Sequence, residues 1–193
     1  MNARRNVVAG MLLVSTVTLS TAALAADTYV VDPIHSPLIF KIKHLGVSNF
    51  YGRFNEVTGT FTVDEKNPAA SSVEINIKTE SVDTNNPERN THLKSPDFFN
   101  AKEFPVITFK SKKIKETAKD NYEVTGDLTL HGVTKPLAVK LTRIGTGKDP
   151  WGGFRMGFES TFTIKRSDFD MKFMADLVGD EVQLMLSIEG VKK

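Results

Sequence analysis

From Leu38 onward the chain alternates apolar and polar residues in one short segment after another, the period-two signature of strands buried on one face. Leu38, Phe40 and Ile42 oppose Lys41 and Lys43, and Val57, Gly59, Phe61 and Val63 alternate with Thr58, Thr60 and Thr62. Val73, Ile75 and Ile77 follow, then Ile107 and Phe109 in a segment that runs into charged residues from Lys110. The second half repeats the pattern over 122–130, 137–141, 154–164 and 182–188. Eight segments, each dry on one side, predict an antiparallel sheet. No long amphipathic helix is available to cover it, so the sheet must close on itself as a barrel or fold into a sandwich. Short links such as His131-Gly132-Val133 favour an up-and-down barrel.

The inward face is aliphatic and aromatic, with phenylalanine at 40, 61, 109, 154, 158 and 162, and no charge falls on it in the well-patterned strands. His44 continues the face of Phe40 and Ile42 and is the ionisable candidate for a mouth. An eight-stranded barrel is filled by side chains or holds one small ligand. Periodicity leaves both readings open. If a ligand is held, the apolar lining selects an apolar one, and the candidate contacts are Phe40, Ile42, His44, Phe61, Ile75, Phe109, Leu128 and Val139.

Three stretches break the alternation. Over 81–99, Asn86 reads as an N-cap, Pro87 as the first helical residue and Glu88 as an acid at the positive helix end, opening a helix of two turns to about Lys94. Ser95-Pro96-Asp97 repeats the start signal and predicts a second short helix carrying Phe98 and Phe99. Arg89 and His92, three apart, share a helix face; an acid such as Asp83 or a ligand headgroup is their expected partner. Ser81, Asp83 and His92 can be drawn as a triad, but no nucleophile-elbow pattern supports it. The four histidines, His35, His44, His92 and His131, lack metal-ligand spacing. The link 166–179 carries Phe169, Met171, Phe173, Met174, Leu177 and Val178, which suits a lid or a packed loop. Residues 45–54 interrupt the first hairpin and bring three aromatics to a similar place.

The N-terminus changes the charge argument. Arg4 and Arg5, an apolar run from Val7 to about Leu19, and Ala23-Leu24-Ala25 together predict a secretory leader over 1–25. The 193 residues hold 25 Lys+Arg and 23 Asp+Glu, and the leader holds two of the arginines and no acid. Residues 26–193 are therefore formally neutral, suit one domain, and carry no basic stripe to follow a nucleic-acid backbone. Cysteine is absent, which removes thiol chemistry and disulfides.

In order along the chain stand His35-Ser36 with Phe40; His44-Leu45-Gly46 with Gly52-Arg53-Phe54; and Ser81-Val82-Asp83 with Arg89, His92-Leu93, Ser95 and Asp97-Phe98-Phe99. Gly126 to Pro136 (GDLTLHGVTKP) and Arg166-Ser167-Asp168-Phe169 complete the series. In these motifs the chain closely resembles the YceI-like family of periplasmic lipid-binding proteins. The resemblance implies an all-β, eight-stranded antiparallel, lipocalin-like barrel with short helices capping one end. It also implies a periplasmic carrier for a long-chain isoprenoid lipid, such as a polyprenyl phosphate or isoprenoid quinone, or a similar amphiphile. It implies no catalytic residues, and no cofactor is expected. The expected partners are the lipid and, transiently, a membrane surface; nucleic acid is not among them. A lipid-headgroup hydrolase or isomerase, and a quinone-holding accessory of membrane electron transfer, are the rival readings. Asn90 stands where relatives often carry an acid, which puts an ion pair there in question.

Overall fold

The computed structural model describes residues 26–193; the leader expected over 1–25 lies outside them. Among these residues there are eleven strands: β1 (Asp27–Val31), β2 (Leu38–His44), β3 (Ser48–Phe54), β4 (Val57–Val63), β5 (Ser72–Lys78), β6 (Val82–Asp83), β7 (Val106–Ala118), β8 (Asn121–Leu130), β9 (Val133–Lys148), β10 (Phe154–Lys165) and β11 (Val178–Lys192), and every pairing between them is antiparallel. They form eight staves. β1 and β2 follow one another along the same edge of β11, with Val30 opposite Val191 and Phe40 opposite Leu184. The detour between them stays stitched to β11: Asp32 N donates to Glu189 O at 2.8 Å, and Ser187 N to Pro37 O at 3.1 Å. β3 and β4 make the second stave, and β5 and β6 the third, kinked together where Asn55 N donates to Ser81 O at 3.1 Å. β7 to β11 are single staves, each paired with its predecessor, and β11 meets β1 to close the barrel.

Each of the eight sequence-predicted segments falls on a different stave. The alternation placed them because an inward side chain must be apolar and its outward neighbour polar. β1, β3 and β6 were not foreseen. Residues 45–54, expected as an interruption, contain β3, which pairs with β2 from Leu38–Phe54 to His44–Ser48 and turns Phe50 and Phe54 inward. β7 does not end where its charges begin but runs to Ala118, with Ile114 buried among them. The turn at His131 and Gly132 has φ of 53° and 74°, joining β8 to β9 as a tight hairpin.

Two glycines seat aromatic rings against the wall. A methyl at Gly52 would overlap the Phe40 ring, and one at Gly126 would overlap the Lys110 carbonyl oxygen and the Phe109 ring. Glycine here permits close approach of ring to backbone.

At one end the barrel carries a cap. α1 (Pro87–Lys94) begins as its sequence predicts: Asn86 Oδ1 accepts from Arg89 N at 2.8 Å. The second helix expected after Ser95 is a hydrogen-bonded turn instead, with Phe98 N donating to Ser95 O at 3.1 Å and Phe99 N to Leu93 O at 2.9 Å. The link before β11 opens with a 3-10 turn over Arg166–Phe169.

Candidate ligand cavity and its mouth

The barrel is hollow. A cavity of about 440 Å³ runs through it, within the range of small-molecule sites. Tyr122 and Leu130, at the two ends of β8, both line it, so it follows roughly 26 Å of strand. The filled-core reading is excluded. Phe40, Ile42, His44, Phe61, Ile75, Phe109, Leu128 and Val139, the eight expected contacts, all line the cavity, as do Phe158 and Phe162. Phe154 does not. It lies near the opposite end with Tyr29, Met156 and Arg143, on a separate hollow. Ser160, which the pattern passed over, also lines the cavity; its hydroxyl is satisfied by donating to Lys140 O at 2.6 Å.

Among the described residues the cationic and histidine side chains of the lining are Lys43, His44, Arg89, His92 and Arg166, all from the cap and the strand ends beside it, and no carboxylate lines the cavity. Sequence alternation placed Lys43 outward. At the mouth β11 is irregular, pairing Val178 with His44 and then Val182 with Ile42, and the regular inward and outward directions no longer hold.

Arg89 is fixed by polar contacts and a ring. Its Nε donates to Thr84 Oγ1 at 2.9 Å, its Nη2 to Thr84 O at 2.8 Å, and its guanidinium carbon lies 4.3 Å from the Phe50 ring centroid. Asp83 is not its partner. The Asp83 carboxylate accepts from Asn85 N at 2.9 Å and Asn90 Nδ2 at 3.2 Å, and lies 3.8 Å from Arg53 Nε. Donation by the Asn85 N–H, then by the Asn90 and Asn55 amides, holds that carboxyl below its usual range. Asn90 also accepts from Thr84 N at 2.9 Å and Thr84 Oγ1 at 2.6 Å. An amide suits this position because it must accept from Thr84 and donate to Asp83 at once.

His92 Nε2 lies 2.9 Å from Asp97 Oδ2, and its ring packs edge-on against Phe98 and Phe173, with centroids at 5.0 Å and 5.5 Å. The contact joins α1, the turn after it and the link before β11. Ser81, Asp83 and His92 share no hydrogen bond: Ser81 Oγ donates to Lys78 O at 2.7 Å and accepts from Glu56 N at 3.1 Å. The drawn triad does not assemble.

Arg166 organises the link. Only 4% exposed, it donates to the carbonyl oxygens of Met171 (2.7 Å), Phe173 (2.8 Å), Val178 (2.9 Å) and Gly179 (3.0 Å). Burial pushes its pKa down from the usual arginine value, with the more distant Asp180 opposing. Met171, Met174 and Val178 from this link line the cavity, while Phe173, Met174 and Leu177 are exposed. His131 secures the other side of the cap, its Nδ1 3.0 Å from Phe169 O and its ring 4.9 Å from that of Phe104.

Outside the cavity, Asp32, His35 and Glu189 bring three potential metal ligands together. A guanidinium takes the place of a cation there: Arg155 Nη1 lies 2.8 Å from Asp32 Oδ2 and 2.5 Å from Glu189 Oε1. The cluster is an ion-pair network.

Residues 29–190 match the YceI-like domain. A UPF0312 protein of Pseudomonas aeruginosa (strain LESB58) is 46% identical over 191 residues, covering 98% of this chain and 99% of that one. Among solved structures, Burkholderia cenocepacia BcnA matches with a TM-score of 0.75 at 26% identity, over 82% of this chain and 98% of that chain. A polyisoprenoid binding domain from Saccharophagus degradans matches with a TM-score of 0.65 at 17% identity, over 86% and 98%, and shares the fold.

Proposed function

The chain belongs to the YceI-like family, and we propose that it is a periplasmic binding or carrier protein for a long-chain isoprenoid lipid, a polyprenyl phosphate or an isoprenoid quinone. The observation that carries this reading is the cavity: long, apolar along its length, and basic at one end. An extended hydrocarbon chain satisfies such a lining without leaving polar groups unpaired. Lys43, Arg89 and His92 at the mouth suit an oxygen-bearing head, phosphate or quinone carbonyl, that accepts hydrogen bonds. The Saccharophagus degradans domain of the same fold is described as polyisoprenoid binding, which supports the ligand class. The leader expected over 1–25 supports export to the periplasm. Binding without turnover fits a mouth where Arg89, His92 and Arg166 are engaged in holding the cap.

Tail length should dominate affinity. Each buried methylene contributes about 0.8 kcal/mol, so ten contribute roughly 8 kcal/mol, against association costs of about 4 kcal/mol or more. A titration with isoprenoids of one headgroup and increasing length tests this: affinity should rise steeply until the tail fills the cavity. Equal affinity for short and long tails would sink the proposal.

A further inference from the structure

The rim of the mouth is apolar on its outside as well. Among the described residues twelve large apolar side chains are exposed, and five of them, Leu45, Val47, Phe173, Met174 and Leu177, stand on two adjoining loops at this one end. The loops are joined directly, Leu45 N donating to Leu177 O at 2.7 Å.

A second observation is independent of exposure. Among the described residues seven other than glycine have positive φ, and five of them are Asn, Asp or His, the types that tolerate that conformation. The remaining two are Leu45 (φ 51°) and Met174 (φ 54°). Left-handed backbone is costly for bulky side chains, and both of these project from the rim, 50% and 37% exposed. The fold accepts strain at two positions that each present an apolar group to solvent, a pattern that points to function.

We propose that this rim is a docking surface for a phospholipid bilayer, with these five side chains seated among the acyl chains. Met174 both lines the cavity and reaches the outer surface, so the apolar surface passes from outside to inside without a polar break. Docked this way, a lipid tail enters the barrel from the membrane without crossing water. Charge is not the main attraction. Asp176 shares the loop, Asp170 is paired with Lys172 at 3.0 Å, and Asp97 with His92. Lys43 and Arg89 lack a carboxylate within ion-pair distance among the described residues and face the depth of the phosphates. Apolar insertion therefore drives docking, which persists in high salt.

The test is flotation of the protein, as its own cells make it, with phosphatidylcholine vesicles in high salt. The variant is Leu45→Asn with Met174→Asn, since asparagine tolerates left-handed backbone and should keep or raise the melting temperature. The wild type should float, the double variant about tenfold less, and Trp151→Ser, altering an exposed side chain at the opposite end, as well as the wild type. A wild type that stays in solution, a double variant that floats as well, or an equal loss with Trp151→Ser overturns the proposal. So does sedimentation showing a dimer that the double variant dissolves without any vesicle binding, because the rim would then cover a second copy.

Discussion

Arg89 lies over the ring of Phe50, its guanidinium carbon 4.3 Å from the ring centroid. The contact ties α1 to β3 and joins the cap to the wall beside the cavity. The same guanidinium holds both the hydroxyl and the carbonyl of Thr84. Arg89→Ala removes a cation–π contact and two charge-assisted hydrogen bonds at a partly solvated site, which costs about 1 kcal/mol. We expect the melting temperature to fall by about 2–4 °C and bound lipid to leave faster, while Arg89→Lys, lacking the fork, restores little. Thermal unfolding and release of a fluorescent prenyl lipid measure both; unchanged release would show that the cap does not govern exchange.

Arg166→Met leaves four carbonyl oxygens, those of Met171, Phe173, Val178 and Gly179, without their donor. The loss is expected to reach about 3 kcal/mol or more, and it should be local. Hydrogen exchange should quicken first in 170–178. A uniform rise across the barrel would assign Arg166 to global stability instead.

Acid should weaken the opposite flank. Donation by His35, then by Arg155, holds the Asp32 carboxyl down to about 2 from 3.8. The folded value lies below the unfolded one, so the stabilisation is complete above about pH 4 and is lost as pH falls towards 2. With Asp32 only 14% exposed, the contribution is about 1–2 kcal/mol. Unfolding midpoints in denaturant between pH 5 and pH 2 should fall less steeply for Asp32→Asn than for the wild type. Parallel curves would remove Asp32 from the account.

The alternation made the barrel legible because a buried face leaves its period in the sequence, and it named eight residues that do line the cavity. β3 was harder to see: Tyr51 is aromatic on the outward face and Gly52 leaves the inward face without a side chain, so SNFYGRF blurs the period. β6, with two residues, is too short to have one. Phe154 follows the inward period of β10, yet the period says nothing of how far along the barrel the cavity extends. Whether the barrel was hollow was equally illegible, since alternation marks a face as dry without saying what fills the space behind it. The N-cap of α1 was readable because Asn86 and Pro87 act locally. The pairing of Arg89 with Thr84 instead of Asp83 depends on loop geometry that has no period.

Val139 faces the cavity and is only partly buried. Val139→Phe should therefore place its ring in empty space and lower lipid occupancy, with the melting temperature held or raised. In a filled interior the same change would cost about 1–3 kcal/mol. Thermal unfolding of lipid-free protein separates these outcomes: a clear loss of stability would contradict the hollow barrel.

Whether this barrel holds a long isoprenoid lipid is read from what it already contains. Protein recovered from its own cells without detergent is extracted with organic solvent, and the extract is examined by mass spectrometry. A prenyl phosphate or isoprenoid quinone is expected close to one per protein in the wild type, and markedly less in Val139→Phe. An extract free of isoprenoid, or one in which both proteins carry the same trace of mixed membrane lipid, would contradict it.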